Sequence, residues 1–185
     1  MSLESKIWIT RKCRINLSER LKKNNLFTQS LIVWYSFLLL ALTIFDKSNS
    51  IFQDSYSLTL ILSIGILVLS IFIMAMNYSE RAIKAQILYT QLDYLYSQVK
   101  SSTQSQQDLY KQYTDLINLT ENHSETNDYL KVKYDLRNDD KGLYPEPPAL
   151  QWFEYIIYWL RKIYLFFFIV FLLFLPLLLI FWIKY

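Results

Sequence analysis

Residues 57–76 read SLTLILSIGILVLSIFIMAM, without a single charge. A helix rises about 1.5 Å per residue, so roughly 20 apolar residues cross the ~30 Å hydrocarbon core of a bilayer. The stretch therefore predicts a membrane-spanning helix, and its neighbours are read by whether they can do the same. Residues 163–183, IYLFFFIVFLLFLPLLLIFWI, are more apolar still. Each central Leu, Ile, Phe or Val contributes about −0.3 to −0.6 kcal/mol to insertion. Pro176 is expected to kink this helix without abolishing it. Residues 27–45, FTQSLIVWYSFLLLALTIF, are diluted by Gln29 and several hydroxyls but still read as a span. A cleaved signal peptide is a poorer account of this first run, because it begins late, is long, and is followed by DKSNS with no small-residue cleavage pattern.

Orientation follows from Lys and Arg, which favour the cytoplasmic side. Lys6, Arg11, Lys12, Arg14, Arg20, Lys22 and Lys23 precede the first span, whereas residues 46–56 carry only Lys47 against Asp46 and Asp54. The first two spans thus form a hairpin with an outer loop. Arg81 and Lys84 follow it and Arg161 and Lys162 precede the third span, which keeps the intervening polar region inside. Lys184 and Tyr185 end outside; with only Lys184 guarding that exit, a re-entrant third helix is the alternative. The expected location is the inner membrane of a bacterium, multi-pass, with a cytoplasmic N-terminus and a periplasmic C-terminus.

In the polar middle, Leu88, Leu92, Leu95 and Val99 recur at four-three-four spacing, one stripe of a helix. The register would put Ser102 and Gln106 on that stripe before Leu109, Tyr113 and Leu116 resume it. SSTQSQQ is therefore either a weak coiled-coil section or the turn of a helical hairpin, the hairpin being favoured. The stripe suits contact with a neighbouring helix or another subunit better than a cofactor. Ser124 is placed to cap a helix through Tyr129, Leu130, Val132 and Leu136. DDKGLYPEPP, residues 139–148, breaks the helical pattern as a connector, and the aromatic run from Trp152 to Trp159 suits the headgroup level. The predicted fold class is an all-α membrane protein: an N-terminal transmembrane helical hairpin, a cytoplasmic, coiled-coil-like helical region and a C-terminal third transmembrane helix. Its parts are a basic segment at 1–26, the hairpin at 27–77, the cytoplasmic region with its connector at 78–148, an interfacial amphipathic helix at 149–162 and the third helix at 163–183.

Chemistry is thin. The 185 residues are 53% hydrophobic with two Gly and four Pro, which excludes a Gly-rich phosphate loop, and a net charge of +3 does not argue for sequence-specific nucleic-acid binding. Cys13 is the only cysteine, so no intrachain disulfide forms and it reads as an ordinary small residue. The Asn77, Asn118 and Asn122 sequons carry information only on a luminal side. His123 has no second His or Cys beside it, so a hydrogen bond to a carboxylate outweighs a metal or pH-sensing role. No nucleophile–base pair or carboxylate cluster appears, and neither enzyme activity nor a cofactor is expected. The spans contain no Asp, Glu, Lys, Arg or His, against an ion-coupled transporter or a charged selectivity ring. Thr59, Ser63, Gly65 and Ser70 are the candidates for pore lining, with plain helix packing as the commoner use of such residues. Leu88, Leu92, Leu95, Val99, His123, Asp128 and Tyr129 are the candidates for partner or oligomer contacts.

The opening KIWITRKCRINLSERLKKNN, the hairpin starting SLIVWYSFLLL, the Tyr-rich helix after it and the segment ENHSETNDY together resemble the SLATT family of two-transmembrane effectors over nearly the whole chain. The similarity is greatest to the subgroup found beside reverse transcriptases in bacterial defence loci. The resemblance implies a membrane effector of anti-phage defence, homo-oligomeric and in contact with membrane lipid. A reverse transcriptase with its ncRNA and branched DNA product would restrain it, and infection would release it to permeabilise the inner membrane. Gating by a nucleotide second messenger is the family's other expected mode. A noncatalytic scaffold recruiting a soluble partner through 78–148 is the alternative from another class, and a holin would not need so long a cytoplasmic insertion.

Overall fold

A computed structural model describes residues 2–48, 55–101, 105–118, 124–138 and 150–184. They form helices α1 (Leu3–Ser48), α2 (Ser55–Met76), α3 (Tyr78–Ser101), α4 (Gln106–Asn118), a π-helical turn at Glu125–Tyr129 running into α5 (Leu130–Asn138), and α6 (Trp152–Lys184). No strand occurs among the described residues. The chain separates into two compact units, one of Met1–Lys22 with Ser79–Arg161 and one of Lys23–Tyr78 with Lys162–Tyr185.

The helix starts are read directly from polar side chains. The Ser5 amide donates to Ser2 Oγ at 3.2 Å before α1, and the Asp108 amide to Ser105 Oγ at 3.3 Å before α4, each satisfying one of the amides a first turn leaves over. Before α6 the Gln151 amide donates to Glu154 Oε2 at 3.0 Å, half of a capping box. Asn77 separates α2 from α3 with φ 48°, and its amide reaches the Met74 carbonyl at 3.2 Å. Asn tolerates this left-handed position, the usual way to close a helix C-terminus when Gly is absent.

The first unit is polar outside and has its core on α1. From Leu3 onward, the segment expected at 1–26 to be a basic stretch belongs to a single 46-residue helix that continues into the first apolar run. Ile7, Thr10, Arg14, Leu17 and Leu21 are buried on it at three-four-three-four spacing. That is the same period as the α3 stripe, so the two helices can lie side by side with their seams in register. Contacts of Glu4 with Tyr96, Arg11 with Asp93 and Ser18 with Ala82 make the pair antiparallel. Ile7, Leu88, Leu92, Leu95 and Leu109 form one core cluster, with Val99, Tyr113 and Leu116 packed against it. Helix α4 therefore packs on the α3 stripe, as the hairpin reading expects, while residues 102–104 of the expected turn lie outside the described residues. Another face of α1 presents Ile9 and Cys13 to Val132 of α5, flanked by Trp8, Tyr129 and Leu136.

In the second unit the apolar helices keep most of their surface outward. No residue in the most apolar stretch of α2 is buried. This is inverted for a water-soluble fold and ordinary for helices whose solvent is lipid. Helix α6 runs on through Pro176, which is fully buried. Tyr35 Oη donates to the Leu172 carbonyl at 2.6 Å and the Trp34 indole to the Leu173 carbonyl at 3.1 Å, joining α1 to α6.

The depth of Leu92, with no exposed surface, makes a specific demand. Leu92→Ala should destabilise the first unit by about 2–5 kcal/mol, as buried Leu truncations do. Thermal unfolding of the purified full chain, with Ile87→Ala on the exposed side of α3 as the comparison, would show whether the cost belongs to the core.

Candidate functional site

The densest set of long-range polar contacts lies where the segment before α5 meets α1. Asp128 is only 2% exposed. A carboxylate is buried at high cost unless its oxygens are satisfied. Arg20 does so from α1, Nε donating to Oδ1 at 3.1 Å and an Nη to Oδ2 at 2.9 Å, the fork geometry that suits a carboxylate. The Ser124 amide donates to Oδ2 at 3.0 Å, and Asn16 donates through its amide nitrogen to the Asp128 carbonyl at 3.2 Å. The Asp128 and Tyr129 amides both return to the Ser124 carbonyl, at 2.9 and 3.2 Å. That shared acceptor is what widens the first turn to a π-helix. Ser124 thus starts the helix as expected, but its backbone and Asp128 do the closing. Arg161, the last residue of this unit on α6, donates to Thr126 Oγ1 at 2.9 Å. One short turn is therefore held by α1 on one side and by α6 on the other.

Cys13 sits under this turn, fully buried. Burial, helped by the nearby Asp128 charge and opposed by Arg14, pushes its thiol up to about 12. At neutral pH it is a protonated core group, in keeping with the reading of an ordinary small residue.

A second junction ties α5 to the start of α6. Lys133 Nζ donates to Glu154 Oε1 at 2.7 Å, Tyr134 stacks on Tyr158 with ring centroids 4.4 Å apart and on Tyr155 at 6.0 Å, and Arg137 lies over Tyr155. The hydrogen bond from Lys133 is the main reason the Glu154 carboxyl sits below its ordinary value. Burial pushes the other way, and the Gln151 amide and the Lys133 charge add to the lowering.

Of the pore-lining candidates, Ser63 and Gly65 are exposed on α2 and Thr59 and Ser70 half-buried. Ser63 Oγ donates to the Leu60 carbonyl at 2.8 Å and Ser70 Oγ to the Ile66 carbonyl at 2.7 Å, so both hydroxyls are spent on their own helix. A Cβ added at Gly65 would meet nothing within 4 Å. The structure does not bring these four together into a site. Leu88, Leu92 and Leu95 are buried within the chain's own first unit, Val99 packs beside them, and Asp128 and Tyr129 belong to the turn just described. His123 lies outside the described residues. Sequence reasoning missed Arg20, Asn16 and Arg161 as partners of this turn. Arg20 looked like one of seven orientation-setting cations, and nothing local marks it as the partner of a residue 108 positions away.

On the α3–α4 hairpin, Thr90, Gln91, Tyr94, Gln98, Gln112 and Asp115 line a groove of about 480 Å³ floored by Leu95 and Leu116. No group of His, Cys, Asp and Glu able to hold a metal ion occurs among the described residues.

Described residues that contain no strand and form a polar helical unit and three helices long and apolar enough to cross a membrane define a helical membrane protein. It belongs to the SMODS and SLOG-associating 2TM effector domains, family 5, whose model matches residues 1–182. It is thus an effector domain of a kind associated with defence systems. The family description counts two transmembrane helices, and the match extends through most of a third apolar helix, α6. No curated protein and no solved structure matches the chain.

Two outcomes follow from the junctions. Asp128→Asn should cost about 2 kcal/mol of stability, less than the ~3–5 expected for a fully buried pair because Arg20 keeps some solvent. Glu19→Gln, which loosens only the exposed 3.5 Å pair with Lys131, should cost under about 1 kcal/mol. Chemical unfolding of the two purified variants would compare them. A carboxyl held low in the folded chain stabilises it above the unfolded carboxylate value, and that contribution fades as pH falls through the lower folded value. The α5–α6 junction should accordingly loosen on acidification below the usual carboxylate range. Glu154→Gln should flatten that part of the pH–stability profile, with a small amplitude because the carboxylate is one-fifth exposed.

Proposed function

We propose that the chain is the membrane effector of a bacterial anti-phage defence system that permeabilises the inner membrane on infection, so that the infected cell dies or stops growing. The observation that carries this reading is the outward-facing α2: an uncharged apolar helix in whose most apolar stretch no residue is buried by the chain itself. Its cover must be lipid or further copies of the same helix. Ser63 and Gly65 on the outward side allow close approach between copies. A path walled by Leu, Ile and Phe is closed by dewetting until the helices rearrange. No proton relay or charged ring is available in the spans, which favours permeabilisation by an oligomer over specific transport.

The restraining partner is a reverse transcriptase with its ncRNA and branched DNA, as in a retron. It acts on the cytoplasmic helical unit without that unit reading nucleic-acid sequence, and the protein works without catalysis. The N-terminus is cytoplasmic and the C-terminus periplasmic. Helices α1 and α6 each contribute residues to both units, which supplies a covalent route from partner to membrane. The family's association with SMODS and SLOG favours, as a second cue, release by a nucleotide signal. The hairpin groove supports the other reading, a noncatalytic scaffold for a soluble partner.

Membrane potential and dye entry, followed in bacteria induced to express the chain alone and then with its genomic neighbours, test the proposal. Rapid depolarisation by the chain alone, suppressed by the neighbours, is expected. An intact membrane in both cases, with insertion verified, would turn the assignment to the scaffold.

A further inference from the structure

Pro176 removes one amide from α6, and the carbonyl that loses its donor is the one four residues earlier, Leu172. That carbonyl is the one Tyr35 reaches at 2.6 Å, and Trp34, the preceding residue, donates to the next carbonyl, Leu173, at 3.1 Å. Both donors lie near the middle of the 27–45 run and both acceptors near the middle of the 163–183 run. At that depth no water replaces a missing partner. Packing alone would not need donors here, since Phe fills nearly the volume of Tyr and the surrounding sequence is rich in Phe. Two consecutive donors instead meet the turn that proline opens, and Pro176 itself is fully buried.

We propose that Trp34 and Tyr35 form a latch that holds the third helix against the first in the resting protein, and that its release is the step that opens the membrane. The proposal rests on the permeabilising reading above and deepens it by assigning the gate. Latched, the two donors and two carbonyls satisfy one another in a dry site. Unlatched, both donors and the Leu172 carbonyl need water, so separation of the helices and wetting of the path between them become one event. The phenol and the indole are positioning residues. They act through α6, and Pro176 is what makes the Tyr35 hydroxyl necessary.

A double-mutant cycle separates the latch from ordinary packing. Alanine at 176 restores an amide to the Leu172 carbonyl, making the Tyr35 hydroxyl redundant. Losing one such hydrogen bond corresponds to about three- to tenfold in an equilibrium constant. For the full chain unfolded by SDS in mixed micelles, Tyr35→Phe should lower the folding constant by about that factor, and by less than about twofold in the Pro176→Ala background. In liposomes, Tyr35→Phe and Trp34→Phe should raise basal dye release by a similar factor, and Pro176→Ala should abolish the Tyr35→Phe effect. Equal losses in both backgrounds overturn the donor replacement. Coupling in stability with no faster release from any variant overturns the gate. If no form of the chain releases dye, restrained or free, while the cycle still shows coupling, the permeabilising reading is what fails and the gate assignment goes with it.

Discussion

Everything in the polar unit is built on the first five turns of α1. That stretch of helix serves two sets of neighbours at once: Ile7 closes the α3–α4 cluster and Ile9 and Cys13 close the α5 cluster. In both clusters the residues that meet α3–α4 and α5 come from this one stretch of helix. A helix with apolar positions on two faces cannot leave either to water, so its burial orders the surrounding segments around it. The polar groups between those faces act as register marks. Thr10 shares a 2.9 Å hydrogen bond with Tyr113, and Ser18 donates to the Ala82 carbonyl at 3.0 Å. Each is satisfied only at one sliding position of its helix pair, so the polar contacts fix alignment while apolar contacts supply adhesion.

The membrane unit solves the same problem with the roles exchanged. Adhesion between apolar helices is weak when lipid is an equally good solvent for their side chains, so hydrogen bonds to backbone gain importance. The Leu172 carbonyl that Pro176 leaves open provides such a contact without placing a charged or amide side chain in the hydrocarbon. The Ser63 and Ser70 hydroxyls of α2 do the opposite, bonding within their own helix. Of the two kinds of polar group in these helices, the backbone carbonyls rather than the serines make the interhelical hydrogen bonds described here.

The spans were legible because hydropathy is a local sum. Residues 57–76 and 163–183 announce themselves whatever surrounds them. The α3 stripe was legible for a similar reason, since Leu88, Leu92 and Leu95 are all apolar. The matching stripe on α1 was not, because Thr10, Arg14 and Ser18 stand among its buried positions and the exposed cations around it suggest a solvated, orientation-setting segment. Only the partner helix shows that Arg14 is inside. The Asp128 turn was half legible. Ser124 and Asp128 carry capping chemistry in their spacing, but the identity of the cation that satisfies the carboxylate depends on tertiary structure. Tyr35 opposite Pro176 was invisible in the same way, although a proline in an apolar helix does announce that some neighbour must donate.

The polar unit is assembled from two pieces of chain with the whole membrane hairpin between them. On the ribosome, α1 emerges with Ile7 exposed, and the leucines of α3 and α4 that cover it come only after both hairpin helices have been made. Arg20 waits longer still for Asp128, and the Thr126 contact closes only when Arg161, at the threshold of the last helix, has been added. Closing such long loops is slow and entropically costly. Synthesis therefore puts the first two membrane helices ahead of completion of the polar unit: the chain has made its apolar hairpin before the polar unit can close.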